Sequence, residues 1–127
     1  MHVLLVDEHA LFRTGLRCLL SELDGALTFD EAGRLAEALA HRGPPVDLLV
    51  LDPALPDRGG TDVVARLRAV HARAELVVVS AEDDPARVRA AMEAGASRYL
   101  RKAAPSSQLV AALRDLLDAE SRRVAAH

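Results

Sequence analysis

Aromatic residues and cysteine are almost absent from this chain. It contains two Phe, one Tyr and no Trp, so the core must be built from Leu, Val and Ala. Its single cysteine, Cys18, excludes an internal disulfide and suits a reducing compartment. No apolar run is long enough to cross a bilayer, and the first residues lack the basic segment of a signal peptide. We therefore expect a cytoplasmic protein without a membrane segment.

A strong excess of charge is absent as well. The formal net charge is -3, half of the 127 residues are hydrophobic and 28% are charged. This is an ordinary globular composition, and it gives no reason to expect direct binding to nucleic acid or to an anionic membrane. The length fits one domain. We expect residues 1–120 to form it, residues 121–127 to be the end of a last helix, and no effector domain to be present.

Short apolar runs alternate with helical patterns along the chain. Three continuous runs, at residues 3–6, 48–51 and 76–79, are typical of strands buried on both faces of a parallel sheet. Weaker strand patterns lie at residues 27–30 and 98–100. An amphipathic helical pattern follows each strand candidate. The β-α order, repeated five times, predicts an α/β fold with a doubly wound, five-stranded parallel sheet.

Polar side chains follow these strands, at the sheet edge where open α/β folds bind their ligands. They are three carboxylates, one hydroxyl and one or two cations: Asp7, Glu8, Asp52, Ser80, Arg101 and Lys102. Clustered carboxylates need a cation to stay ionised together, and Mg²⁺ prefers oxygen ligands. A carboxylate beside Mg²⁺ can attack a phosphoryl group, while a lysine offsets charge on the phosphoryl oxygens. The pattern therefore indicates phosphoryl-transfer chemistry.

Four segments carry a resemblance to a known family. They are VLLVDEH, LLVLDPALPDRGG, LVVVSAEDD and AGASRYLRKAAP, and they resemble the receiver domains of two-component response regulators. The resemblance runs from residue 3 to about residue 117. The stretch VDEHALFRTGL is most similar to receivers attached to LuxR-type helix-turn-helix domains. The resemblance implies the (βα)5 flavodoxin-like receiver fold, with strand order 2-1-3-4-5.

The resemblance also implies a role for each residue of the site. Asp52 corresponds to the phosphoacceptor, and Lys102 to the lysine that pairs with the phosphoryl group. The implied Mg²⁺ ligands are Asp7, Glu8, Asp52 and the main-chain carbonyl of Ala54. Ser80 corresponds to the switch hydroxyl, and Tyr99 to the aromatic residue whose rotamer reports the switched state.

Two positions depart from the family pattern. Glu8 stands where aspartate is commoner, and its extra methylene group displaces the carboxylate. Pro53 follows the acceptor where an aliphatic residue is usual. Proline fixes φ, removes an N–H group and restricts Asp52 to extended geometry. Both departures bear on how well Asp52 accepts a phosphoryl group.

The implied function is a phosphorylation-controlled switch rather than an enzyme with turnover. A sensor histidine kinase or phosphotransferase would donate the phosphoryl group, and the response would be homodimerisation or a new effector surface, with transcription as the output. The alternative is an atypical receiver that acts as a binding or dimerisation module without phosphorylation. A third hypothesis, an aspartate-based phosphatase, is disfavoured because Ala54 occupies the position of the second aspartate.

The remaining polar residues receive structural interpretations. The five histidines are scattered without the spacing of metal ligands, so the sequence predicts no zinc site. His9, beside the acidic pair, is interpreted as a surface residue. Residues 57–60, DRGG, read as a flexible loop.

Overall fold

The computed structural model describes residues 1–125, in which strands and helices alternate. The strands are β1 (His2–Val6), β2 (Thr28–Ala32), β3 (Leu48–Leu51), β4 (Glu75–Ser80) and β5 (Arg98–Arg101). The helices are α1 (Ala10–Leu23), α2 (Leu35–Leu39), α3 (Val63–Val70), α4 (Pro85–Glu93) and α5 (Ser106–Ala125).

All five strands are parallel and lie in the order β2-β1-β3-β4-β5. This confirms the doubly wound sheet expected from the sequence. In the β1–β3 register, Val3 lies beside Leu48 and Val6 beside Leu51. The two strands therefore end at the same level, and the residues that follow them are neighbours.

The central strands differ from the edge strands in burial. Every residue of β1 and β3 is buried, whereas most residues of the edge strands β2 and β5 are partly or fully exposed. Mixed burial explains the weak patterns of the edge strands. The bounds also shift slightly, since β2 begins at Thr28 instead of residue 27 and Ser80 is the last residue of β4.

Two hydrophobic clusters sandwich the sheet. Alternate residues of β1 point to opposite faces, so Leu4 and Val6 join one cluster while Val3 and Leu5 join the other. The first cluster packs against α2, α3 and α4, and the second against α1 and α5. Burying a side chain of this size contributes about 1.5–3 kcal/mol, so the sheet is held mainly by these two layers.

Arg68 fastens α3 to the turn between α4 and β5. Its Nε and Nη2 donate to the Gly95 carbonyl oxygen at 3.1 and 2.8 Å, and its Nη1 donates to the Ala74 oxygen at 2.6 Å. Gly95 has φ +121°, and a Cβ atom there would lie 2.8 Å from Arg68 Cγ. Glycine is therefore required by the backbone and by the packed arginine.

The last helix covers part of the segment predicted as a helix end. Residues 121–125 belong to α5, while residues 126 and 127 lie outside the described residues. Within residues 1–125, no helix combines the length and apolar character needed to cross a membrane.

Gly95→Ala should lower the free energy of unfolding by about 1–3 kcal/mol, because a side chain at this φ is strained and meets Arg68. Urea unfolding followed by circular dichroism measures the change. Gly15→Ala is the matched control, since no atom lies within 4 Å of its added Cβ and it sits inside α1. We expect it to stabilise by about 0.5–1 kcal/mol. Equal effects of the two substitutions would contradict the role of Gly95.

Candidate functional site

Three strand ends deliver a lysine and two carboxylates to one point. Asp7, Asp52 and Lys102 directly follow β1, β3 and β5. Both aspartates are buried, with 3% and 6% of their surface exposed. The Lys102 Nζ lies 2.7 Å from Asp7 Oδ2 and 2.8 Å from Asp52 Oδ2. One ammonium group thus bridges two carboxylates that the sheet holds side by side.

Backbone N–H groups orient the second oxygen of each carboxylate. The amide of His9 donates to Asp7 Oδ1 at 2.8 Å, and that of Ala54 donates to Asp52 Oδ1 at 3.0 Å. The N–H that contacts the Asp52 carboxylate therefore belongs to Ala54. Pro53 has no N–H, but its presence leaves this hydrogen bond intact.

Lys102 is the only lysine of the chain, and its surroundings shift the pKa of its ammonium group. Partial burial lowers its pKa, but hydrogen bonds to Asp52 and Asp7 outweigh this effect and raise the pKa above its ordinary value. Its Nζ also lies 4.3 Å from the centre of the Phe12 ring, a cation–π contact. The lysine is thus held protonated against the two carboxylates.

The second acidic residue has a different environment from the first. The side chain of Glu8 is 41% exposed, and its Oε1 lies 3.8 Å from His9 Nε2. His9 Nδ1 lies 3.0 Å from Asp7 Oδ1. Among the described residues, the potential ligand atoms that cluster here belong to Asp7, Asp52 and His9. The structure therefore adds His9 to the site, and the role of Glu8 as a metal ligand stays a prediction.

The donor set fits Mg²⁺. Asp7 and Asp52 together carry two negative charges against the single positive charge of Lys102. Their carboxylate oxygens are hard ligands of the kind that Mg²⁺ prefers. A divalent cation would balance the remaining charge, and Glu8 and the Ala54 carbonyl lie in the adjoining segments of chain.

One residue, Glu82, connects the two predicted switch residues. The amide of Glu82 donates to Ser80 Oγ at 3.0 Å, and the Tyr99 hydroxyl donates to the Glu82 carbonyl oxygen at 2.7 Å. Ser80, Glu82 and Tyr99 line a cavity of about 250 Å³ together with Pro53 and Ala54. Ser80 and Tyr99 therefore contact opposite ends of the same residue beside the acceptor.

The loop after β3 is anchored more firmly than its glycine-rich sequence indicates. Asp57 accepts hydrogen bonds from the amides of Leu35 and Ala36, at 2.7 and 3.0 Å, and so caps α2. The hydrogen bonds from Ala36 and Leu35 lower the pKa of Asp57. The interpretation of residues 57–60 as a flexible loop is incomplete, because Asp57 ties the loop to a helix.

Histidines that are distant in the sequence also meet. His2 and His41 both contact the carboxylate of Asp30, at the end of the sheet opposite to Asp7 and Asp52. These contacts lower the pKa of Asp30, with that from His41 the larger. The interpretation of the histidines as scattered is wrong for this pair. The pairing of β1 with β2 sets His2 near Asp30, and the loop after α2 brings His41 to the same carboxylate, which sequence spacing does not reveal.

Comparison with known proteins assigns the family. The sequence model described as "Response regulator receiver domain" matches residues 3–114. The chain therefore belongs to the receiver domain family of two-component response regulators, as its motifs indicated.

The relatives place the chain more closely. It is 31% identical over 120 residues to the response regulator UvrY of Escherichia coli strain K12, covering 91% of this chain and 54% of UvrY. The chain thus spans about half the length of such curated relatives. The receiver of the putative response regulator NarL from Mycobacterium tuberculosis is 32% identical, with a TM-score of 0.73 over 94% of this chain and 95% of the other. A LuxR-family response regulator from Aurantimonas sp. SI85-9A1 is 29% identical, with a TM-score of 0.78 over 93% and 85% of the two chains.

We expect the Lys102 ammonium to titrate above the ordinary lysine pKa. Selective ¹⁵N-lysine labelling gives one side-chain signal, because the chain has one lysine. In Asp52→Asn this pKa should fall, since burial persists while one carboxylate is lost. Asp83→Asn, at an exposed carboxylate paired with Arg101, is the control and should leave it unchanged.

The raised pKa fixes the sign of the pH dependence. A group whose folded-state pKa exceeds its unfolded value contributes its full stability below the unfolded pKa and loses it as the pH rises through the folded pKa. The stability difference between wild type and Lys102→Met should therefore shrink in the alkaline range. An identical lysine pKa in wild type and Asp52→Asn would refute the bridge.

Proposed function

We propose that this receiver domain is a cytoplasmic switch in which Asp52 accepts a phosphoryl group from a sensor histidine kinase or phosphotransferase. The proposal rests chiefly on the Lys102 ammonium, which lies within 2.8 Å of both Asp7 and Asp52. Buried carboxylates usually have a partner or a function, because the burial of a charge destabilises the folded state. Asp7 and Asp52 are buried at the edge of the sheet where α/β folds bind ligands.

The residues divide the chemistry between them. An oxygen of Asp52 attacks the phosphorus, the bond to the donor nitrogen breaks, and an acyl phosphate forms on Asp52. The Lys102 ammonium then pairs with an oxygen of the transferred group. Asp7, Glu8, Asp52 and the Ala54 carbonyl would hold Mg²⁺, which supplies charge stabilisation to the phosphoryl oxygens when bound.

The product remains on the chain, so the domain works as a switch and not as an enzyme with an external substrate. Position 54, two residues after the acceptor, is an alanine that offers no acid or base. This argues against a phosphatase with turnover. The intact bridge between Asp7, Lys102 and Asp52 likewise favours phosphorylation over a binding module that has no need of it.

The contacts of Glu82 suggest how the signal travels. If Ser80 Oγ turns to donate to the phosphoryl group, it releases the Glu82 amide that it now accepts from. The carbonyl of the same residue accepts from Tyr99, whose side chain packs against the hydrophobic cluster of α2, α3 and α4. Release at Ser80 would thus reach Tyr99 through one residue and alter the surface around β5.

This altered surface would promote homodimerisation or contact with an effector. The likeness to UvrY and to a LuxR-family regulator supports transcription as the output, through an effector domain beyond the receiver. The receiver itself carries a net charge of -3 and is not proposed to bind nucleic acid or a membrane.

Incubation with Mg²⁺ and a small-molecule phosphodonor should add one phosphoryl group, measured by intact mass spectrometry. Asp52→Asn should add none, because the nucleophile is gone. Lys102→Met should slow the reaction by about 10²–10³-fold, as expected for loss of one charge-stabilising donor. Asp83→Asn, an exposed carboxylate away from the bridge, is the control. Unmodified wild-type protein would favour the phosphorylation-independent binding module.

Phosphorylation should move the backbone amide resonance of Glu82 in wild-type protein, because Ser80 releases this N–H. In Ser80→Ala the hydrogen bond is absent from the start, so the resonance should be displaced before phosphorylation and move little afterwards. Two-dimensional ¹H–¹⁵N NMR measures both states. Thr14→Ala removes a hydroxyl that donates to Ala10 within α1, and this control should retain the full wild-type response. An equal displacement in Ser80→Ala would contradict the coupling.

A further inference from the structure

Two imidazoles and a carboxylate converge at the end of the sheet opposite to Asp52. His2 begins β1, Asp30 lies in β2, and His41 lies in the loop after α2. His2 Nε2 is 2.8 Å and His41 Nε2 is 2.7 Å from the same oxygen, Asp30 Oδ2. The three potential ligand atoms all lie within 4.8 Å of one another. Only small movements would separate them to the spacing of ligands around one ion.

The surroundings of His2 hold its ring in the orientation that a ligand needs. The residue is buried, and its Nδ1 lies 2.7 Å from Thr28 Oγ1. Its backbone amide donates to Asp47 Oδ2 at 2.8 Å. A metal-binding histidine usually donates its other ring N–H to an oxygen, which fixes the tautomer. Thr28 Oγ1 is placed to accept a hydrogen bond from the Nδ1–H of His2 when Nε2 binds a metal.

Gly43 keeps side-chain atoms away from the two other donors. A Cβ built on this residue would lie 2.8 Å from Asp30 Oδ2 and 2.8 Å from His41 Nε2. Its φ lies outside the left-handed region, so the backbone does not require glycine here. The absence of a side chain at Gly43 instead leaves space next to Asp30 Oδ2 and His41 Nε2.

We propose that His2, Asp30 and His41 bind one transition-metal ion of the Zn²⁺ type, with water completing the coordination. Two neutral imidazoles and one carboxylate suit Zn²⁺ and not Mg²⁺, which prefers oxygen ligands. Each imidazole would bind the metal through an unprotonated Nε2 and keep its one ring proton on Nδ1, which in His2 faces Thr28 Oγ1. The metal joins β1, β2 and the loop after α2, and therefore stabilises the edge strand β2 by binding only the folded state.

The test is a Zn²⁺ titration of chelator-treated protein without an added histidine tag. Excess Mg²⁺ in the buffer competes with Zn²⁺ for the carboxylate oxygens near Asp52. We expect one equivalent of Zn²⁺ to bind by calorimetry and to raise the melting temperature. Co²⁺ in place of Zn²⁺ should give the visible absorption that is typical of a four-coordinate site.

Three variants identify the site. His41→Ala should weaken Zn²⁺ binding by at least about 100-fold, and Thr28→Val by about tenfold through loss of the orienting oxygen. Gly43→Ala should also weaken Zn²⁺ binding, because the added Cβ displaces Asp30 Oδ2 and His41 Nε2, although the number of histidines is unchanged. Circular dichroism checks that each variant is folded, and Thr28→Val, at an exposed residue, is the variant to use if another fails to fold.

His71→Ala is the matched control. Its ring lies 5.9 Å from that of His41, but its Nε2 lies 3.1 Å from the Ala38 oxygen and is not among the ligands. It should bind Zn²⁺ as wild type does. The proposal is overturned if Zn²⁺ leaves the wild-type melting temperature unchanged, or if His41→Ala and Thr28→Val bind as tightly as His71→Ala.

Discussion

The bridge from Lys102 to Asp7 and Asp52 is the interaction on which the functional end of the molecule depends. A buried carboxylate without a partner is strongly destabilising, and two side by side repel each other as well. The sheet must therefore deliver a cation to the point where β1 and β3 end. It does so from β5, two strands away from β3, because the lysine side chain is long enough to cross the end of β4. The charge balance of the site therefore depends on the strand order, because this order places Lys102 within reach of both carboxylates.

Much of this arrangement could be predicted from the sequence because the central strands are buried on both faces. Continuous apolar runs locate β1, β3 and β4, and the polar residues after them locate Asp7 and Asp52. The edge strands were harder to bound, since exposed and buried residues are mixed within them. The sequence pattern does not show in which direction the side chains at the strand ends point. Nothing in the order of Glu8 and His9 indicates that the histidine, and not the glutamate, contacts Asp7.

The contacts of His2, Asp30 and His41 were missed for a related reason. They depend on the β1–β2 register, which sets His2 beside Thr28 and Leu4 beside Asp30. The register of two strands joined by a crossover helix depends on how their buried faces pack, and the separations of residues 2, 30 and 41 in the sequence do not reveal it. The clusters at the two ends of β1 thus differ in chemistry, with two imidazoles and one carboxylate near its start and two carboxylates and one imidazole at its end. At about 3.3 Å per residue, the strand sets the Cα atoms of His2 and Asp7 about 16 Å apart.

The contrast between the central and edge strands has a consequence for the chain during folding. Three apolar strands without a charge in their buried stretches would readily pair with those of other molecules if they were exposed. In the folded sheet they lie inside, and the outer strands present Asp30 and Glu31 on one side and Arg98 and Arg101 on the other. Charged outer strands discourage the addition of further strands. The charged edge strands thereby keep the apolar central strands from pairing with those of other molecules. The strands that are hardest to recognise in the sequence are therefore the ones that limit self-association.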